Sequence, residues 1–215
     1  MIEVIIADDH TLMREGLRRI LEDARDFEIV GEGWDGASTL ALVRSRDAKV
    51  LVLDLSMPGR SGVDLIKQIK EEKPALRLLV LTMHAEQQYA VRAFKAGASG
   101  YLTKESASTE LVGAVRKVAT GGVYISMRMA EHFAQSLNEP ADALPHQRLS
   151  DREFEVFRRI AAGQTISEIA QSLCVSAKTV STYKIRILDK MQLPHEAALV
   201  RYALNHKLLD DEDNP

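Results

Sequence analysis

The sequence predicts an α/β protein: a doubly wound, five-stranded parallel sheet followed by a small all-α unit containing a helix-turn-helix. Three observations carry this expectation. Five short runs rich in Val, Ile and Leu alternate with amphipathic segments over roughly the first half of the chain. Those runs are continuously apolar, as strands covered by helices on both faces require. From residue 149 onward strand patterns cease, while helix caps and helical periodicity recur. At 215 residues, a prior of roughly 100 to 200 residues per domain permits one or two domains, each able to bury its own core.

The strands are expected at residues 3–7, 28–33, 50–53, 76–82 and 100–102, with helices in the gaps. In the last helix Leu111, Val115 and Val118 recur at i, i+4 and i+7, one face of a helix. Right-handed crossovers join such strands, and the first domain is placed at 1–121. Residues 122–147 read as a linker that contains Pro140 and Pro145 and has room for a helix over 126–137. The second domain is placed at 148–209. There Ser150 is an N-cap with Glu153 at the third helical position, and Leu149 and Phe154 can staple the helix entry. Gly163 stops this helix, and Thr165 with Glu168 repeats the capping box before a short helix through Ile169, Ala170 and Leu173. A turn at residues 174–176 leads into a longer helix over 177–191, and Pro194 precedes a fourth over 196–206. Residues 210–215 form an acidic, solvated tail.

Composition narrows the class. With 46% apolar and 27% charged residues and a net charge of -3, attraction to nucleic acid must be local. The longest apolar runs, such as 50–53 and 78–81, fall far below the roughly 18 residues a membrane span needs. The first strand starts at residue 3, which leaves no room for a secretion signal. The single cysteine, Cys174, excludes an intrachain disulfide and a multi-Cys metal site, fits a reducing cytosol, and is read as buried packing.

Asp8, Asp9, Asp54, Thr82 and Lys104 each fall where an apolar run stops. In an open parallel sheet the loops leaving the carboxyl ends of the strands converge on one edge, so these five are expected in one pocket. Three crowded carboxylates need a cation, and oxygen ligands without nearby His or Cys suit Mg²⁺. Asp54 is then placed to attack a phosphoryl group as a carboxylate nucleophile. Lys104 and the Thr82 hydroxyl would meet the phosphoryl oxygens. His10 and Trp34 also lie near this functional edge and are read as loop packing.

These residues, with Met57-Pro58-Gly59 after Asp54, resemble the receiver domain of bacterial two-component response regulators, a flavodoxin-like fold. The resemblance implies phosphotransfer from a sensor histidine kinase to Asp54, with Mg²⁺ held by Asp9, Asp54 and the main-chain carbonyl of Ser56, and by Asp8 through water. It also implies that Thr82 and Tyr101 act as a switch, and that Ser56 and His84 tune dephosphorylation.

The helix over 177–191 carries Lys178, Lys184, Arg186 and Lys190 against one acid, Asp189. With the short helix and turn before it, this fits a helix-turn-helix whose second helix enters the major groove. The ordered string of Leu149 to Glu153, Ile169-Ala170, Lys178-Thr179-Val180 and Lys190-Met191 resembles the LuxR-type domain of NarL/FixJ regulators. By that resemblance Lys178 and Thr179 hold phosphates, Ser181, Thr182 and Ile185 face bases, and Tyr183, Lys184 and Arg186 flank the groove. Tyr183 stands where a histidine is common and Ser181 where a lysine is common, which bears on base preference. Val180, Ile187, Leu188 and Met191 are expected to face the core, as are Leu199, Tyr202 and Ala203 of the last helix.

The reading is a cytoplasmic two-component response regulator in which phosphorylation of Asp54 with Mg²⁺ controls homodimerisation and binding to double-stranded promoter DNA. It is not an enzyme with external turnover. A Mg²⁺-dependent aspartyl-phosphate phosphatase would need a second acid two residues after the nucleophile, where Ser56 stands. A phosphorylation-controlled protein-interaction module would not need the basic helix.

Overall fold

The computed structural model describes residues 1–57, 62–83, 87–126, 130, 144–206 and 208–209. Pro58, Gly59, His84, the acidic tail and nearly all of the helix expected over 126–137 lie outside them. The chain divides into two compact units, Met1–Ala134 and Gln135–Pro215.

In the first unit β1 (Ile2–Ala7), α1 (Thr11–Asp23), β2 (Phe27–Gly33), α2 (Gly36–Ser45), β3 (Val50–Asp54), α3 (Gly62–Glu72), β4 (Arg77–Thr82), α4 (Gln87–Lys95), β5 (Gly100–Thr103) and α5 (Ala107–Ala119) follow one another. The five strands form one parallel sheet in the order β2-β1-β3-β4-β5. Alternation along the strands divides the core. Val4, Ile6, Val50, Val52, Leu79, Leu81 and Leu102 pack with Leu17 and Leu21 of α1 and Leu111, Val115 and Val118 of α5. Ile5, Leu51, Leu53, Leu78 and Val80, also buried, point to the opposite face. There α2, α3 and α4 pack as consecutive neighbours. β3 is buried along its whole length, whereas β2, at the edge, is mostly half-buried.

The strand order reverses between β1 and β3, and in such sheets the ligand crevice opens beyond the carboxyl ends of the strands at that switch point. Ala7 pairs with Leu53, so the residues that follow, Asp8 and Asp54, flank the crevice.

The second unit consists of a 3-10 helix (Pro145–Arg148), α6 (Asp151–Ala161), α7 (Ile166–Ser172), α8 (Ala177–Met191) and α9 (Glu196–Asn205). Both expected capping boxes form: the Ser150 and Thr165 side chains accept from the backbones of Glu153 and Glu168, and each glutamate reaches back to its cap. Gly163, at φ 82°, takes the left-handed conformation that ends α6. Phe154, Phe157, Ile169, Val180, Ile187 and Leu199 are fully buried, and each large apolar side chain so buried contributes about 1.5–3 kcal/mol. The 3-10 helix was not expected. It buries His146, whose Nδ1 lies 2.8 Å from the Tyr202 hydroxyl oxygen, and so ties the entry of the unit to α9.

Cys174 corrects the sequence reading: it is exposed, not packed. It adopts φ 51° just past α7, and the next amide, of Val175, donates back to the Ala170 carbonyl. In this Schellman-type ending the left-handed residue lies past the helix, exposed to solvent, with its Sγ 3.8 Å from the Gln171 carbonyl.

Candidate functional site

The pocket is built from strand ends. Asp8 follows β1 directly, Asp54 is the last residue of β3, Thr82 the last of β4, and Lys104 follows β5. Asp8, Asp54, Thr82 and Lys104 are buried. Lys104 Nζ lies 2.9 Å from Asp54 Oδ2 and 2.7 Å from Asp8 Oδ2, so one ammonium spans two carboxylates. The Ser56 N–H donates to Asp54 Oδ1 at 3.0 Å while Ser56 itself is exposed. Asp9 is only half-buried. The Lys104 amide donates to the Thr82 carbonyl at 2.8 Å, which sets the spacing of the β4 and β5 ends. Tyr101 is 2% exposed, so it is an inward-facing aromatic in this structure.

Burial works against charge here. It pushes the Asp54 carboxyl above the ordinary range, with the Lys104 ammonium and the Ser56 N–H pulling the other way and Asp8 adding to the rise. Burial also disfavours the Lys104 ammonium, but Asp54 and Asp8 outweigh it and hold Lys104 above the usual lysine value.

Two further residues belong to this edge. His10 was expected to pack in a loop. Instead its amide donates to Asp8 Oδ1 at 2.8 Å, and its Nδ1 lies 3.2 Å from Asp8 Oδ1 and 2.9 Å from Asp9 Oδ1. Ligand atoms of Asp8, Asp9, His10 and Asp54 all lie within 4.8 Å of one another. The cluster therefore contains a histidine that the sequence reading left out. Arg14, one turn into α1, donates to the Asp8 carbonyl at 2.7 Å and braces the turn. Its spacing from Asp8, six residues into a helix start, was the available signal. Trp34 is 57% exposed and does not pack as expected. The carboxylates of Asp8, Asp9 and Asp54 suit a hard divalent cation.

On the second unit, α8 begins at Ser176, whose Oγ accepts from the Thr179 amide at 3.1 Å and lies 2.8 Å from the Thr179 hydroxyl. Val180, Ile187 and Met191 are buried, with Leu188 half-buried beside them. Lys178, Thr182, Ile185 and Arg186 are exposed; Thr179, Ser181, Tyr183 and Lys184 are half-buried. The basic residues divide. Lys184 pairs with Glu196 at 2.8 Å and Lys190 with Glu153 at 2.6 Å, partners 12 and 37 residues away that no local pattern announces. Among the described residues no carboxylate pairs with Lys178 or Arg186.

Residues 4–116 match the response regulator receiver domain, and residues 147–203 match the luxR family of bacterial regulatory proteins. The chain belongs to the response regulators. This response regulator is 36% identical over 213 residues to the response regulator UvrY of Escherichia coli K12, covering 99% of this chain and 98% of that one. It is 34% identical over 211 residues to the response regulator GacA of Pseudomonas aeruginosa, covering 98% and 99%. Among solved structures it resembles the response regulator RcsB of Salmonella typhimurium, with a TM-score of 0.73 at 32% identity over 95% of this chain and 97% of that chain. RcsB bound to the promoter rprA in the presence of the phosphomimetic BeF3- gives a TM-score of 0.66 at 32% identity over 94% and 97%. The response regulator thus carries a receiver domain and a LuxR-type DNA-binding domain. No helix among its described residues is long and apolar enough to cross a membrane.

Proposed function

We propose that Asp54 is the phosphoacceptor of a two-component pathway and that its phosphorylation controls dimerisation and binding of the chain to promoter DNA. The observation that carries this reading is Lys104, one buried ammonium within 3 Å of both Asp54 and Asp8. The donor is a phosphohistidine on a sensor histidine kinase. An Asp54 carboxylate oxygen forms the new P–O bond as the donor P–N bond breaks, and the electron pair of that bond stays on the departing imidazole. Mg²⁺, held by Asp8, Asp9, Asp54 and the Ser56 carbonyl, would offset the charge that repels phosphate. The Lys104 ammonium then meets the phosphoryl oxygens, and the Thr82 hydroxyl donates to them from the end of β4. A shift of Thr82 and Tyr101 is the two-state element that the phosphoryl group biases.

The output is α8 in a major groove. Lys178 and Thr179 hold phosphates, Ser181, Thr182 and Ile185 face base edges, and Tyr183, Lys184 and Arg186 flank the groove. A homodimer on double-stranded promoter DNA would read two half-sites about one helical turn apart. The chain works in the cytoplasm as a phosphoryl acceptor, with at most slow autodephosphorylation. Incubation with an acyl phosphate and Mg²⁺, read by intact mass, tests the acceptor. The expected result is one phosphoryl group in wild type and none in Asp54→Asn; labelling that persists at one site overturns the assignment.

A further inference from the structure

A hard divalent cation would be held in this pocket by oxygens alone, yet the cluster also presents an imidazole nitrogen. His10 is fixed on the turn by its own amide, which donates to Asp8 Oδ1 at 2.8 Å. Its Nδ1 lies 3.2 Å from Asp8 Oδ1 and 2.9 Å from Asp9 Oδ1. Neighbouring ligands on an octahedral ion with bonds of about 2.1 Å stand roughly 3.0 Å apart, so the 2.9 Å separation from Asp9 matches the edge of such a shell. Little else anchors the ring: its side chain is 68% exposed, and among the described residues it hydrogen-bonds to Asp8 and lies in ion-pair range of Asp9. It can therefore move into an inner shell by giving up only its contacts with Asp8 and Asp9.

We propose that His10 is a metal-specificity residue, a nitrogen ligand that the pocket offers to borderline divalent ions such as Co²⁺ and withholds from Mg²⁺. This rests on the reading of the pocket as a divalent-cation site. Mg²⁺ takes carboxylate, carbonyl and water oxygens and dehydrates reluctantly, so the ring stays outside its shell. Imidazole suits the later first-row ions, whose affinity for one donor set rises from Mn²⁺ through Co²⁺ and Ni²⁺ to Cu²⁺. With Co²⁺ bound, Nδ1 would join Asp9 and Asp54 as an inner-shell ligand. The pocket then discriminates among ions by one residue on an exposed turn, separate from the buried carboxylate and lysine.

The test is calorimetric titration of the full chain with MgCl₂ and, separately, CoCl₂, for wild type, His10→Gln and His10→Ala. It is paired with proton NMR of the Co²⁺-loaded proteins. The expected result is a loss of about tenfold or more in Co²⁺ affinity in both variants, the scale on which ligand-shell changes act. Mg²⁺ affinity should stay within about twofold, because that ion uses oxygens. Wild type should show a paramagnetically shifted, exchangeable imidazole N–H resonance that both variants lack, and Mg²⁺ should displace Co²⁺ competitively. Equal losses for the two ions, unchanged Co²⁺ affinity, or a shifted resonance that survives in the variants overturns the assignment of His10 while leaving the cation site standing. Wild type that binds neither ion overturns both.

Discussion

Lys104 and Lys184 are both held by carboxylates at nearly the same distance, 2.9 Å from Asp54 and 2.8 Å from Glu196. Their surroundings differ. The Lys104 side chain is 4% exposed and its partners 1% or less, whereas Lys184 is 30% and Glu196 51% exposed. In the receiver, three charges out of water depend on one another, and a phosphoryl group added to Asp54 disturbs all of them. On α8 the ion pair is wet, and such an exposed pair contributes little to stability. The receiver pocket couples buried charges to one another, whereas the helix surface leaves its ion pair in water.

The strongest way to break this contrast is to remove each lysine. Lys104→Ala leaves two buried carboxylates without their cation and should destabilise the receiver by roughly 3–5 kcal/mol in Mg²⁺-free buffer. Urea unfolding followed by fluorescence of Trp34, the single tryptophan, measures it, and added Mg²⁺ should restore part of the loss. Lys184→Ala, measured on the second unit by circular dichroism, should cost less than about 1 kcal/mol. Equal costs would remove the distinction.

The next effect sharpens the division among the α8 cations. Arg186→Ala and Lys178→Ala should each weaken DNA binding across sequences and lower the salt slope by about one unit. Lys184→Ala should lower it by less, because Glu196 already neutralises part of that charge, and Glu196→Ala should steepen it. A slope for Lys184→Ala equal to that for Arg186→Ala would show that the ion pair opens on DNA at no cost.

Smaller effects test the caps and the sign of the charge balance. Ser150→Ala removes the N-cap of α6 and should cost the second unit about 1 kcal/mol. The two units should then respond to acid in opposite senses. Burial raises Asp54 above the ordinary range, so this residue favours folding below that range and loses the contribution as pH rises through its folded value. For Glu153, burial pushes upward, but the Lys190 ammonium and the Ser150 N–H prevail and hold it low. Its contribution is present above the usual glutamate range and is lost as pH falls through the depressed value. In metal-free buffer Asp54→Asn should stabilise the receiver at neutral pH, with the gain shrinking toward acid. Glu153→Gln should flatten the acid loss of the second unit. Parallel pH profiles for both variants would contradict the comparison.

Much of this was legible in the sequence. Asp8, Asp54, Thr82 and Lys104 each interrupt an apolar run, and strand ends are where parallel sheets gather function. Ser150 with Glu153 and Thr165 with Glu168 announced two helix starts because a capping box is local chemistry. His10 was missed because a histidine after two aspartates reads as a turn residue until its own amide folds the ring back over them. Cys174, between Leu173 and Val175, carries a core-like pattern, but it takes the left-handed position past α7 and is exposed. Pro145 suggested only a linker, although proline equally suits the first turn of a helix, and the 3-10 helix uses it so. The partners of Lys184 and Lys190 lie beyond the reach of any local pattern.

The central claim is that a phosphoryl group on Asp54 switches DNA binding. Its most direct test is binding of the full chain to a pool of genomic DNA fragments, with and without Mg²⁺ and beryllofluoride, beside Asp54→Ala. Enrichment that rises with the mimic in wild type alone is the expected result. Equal enrichment in all conditions, or none, would contradict it.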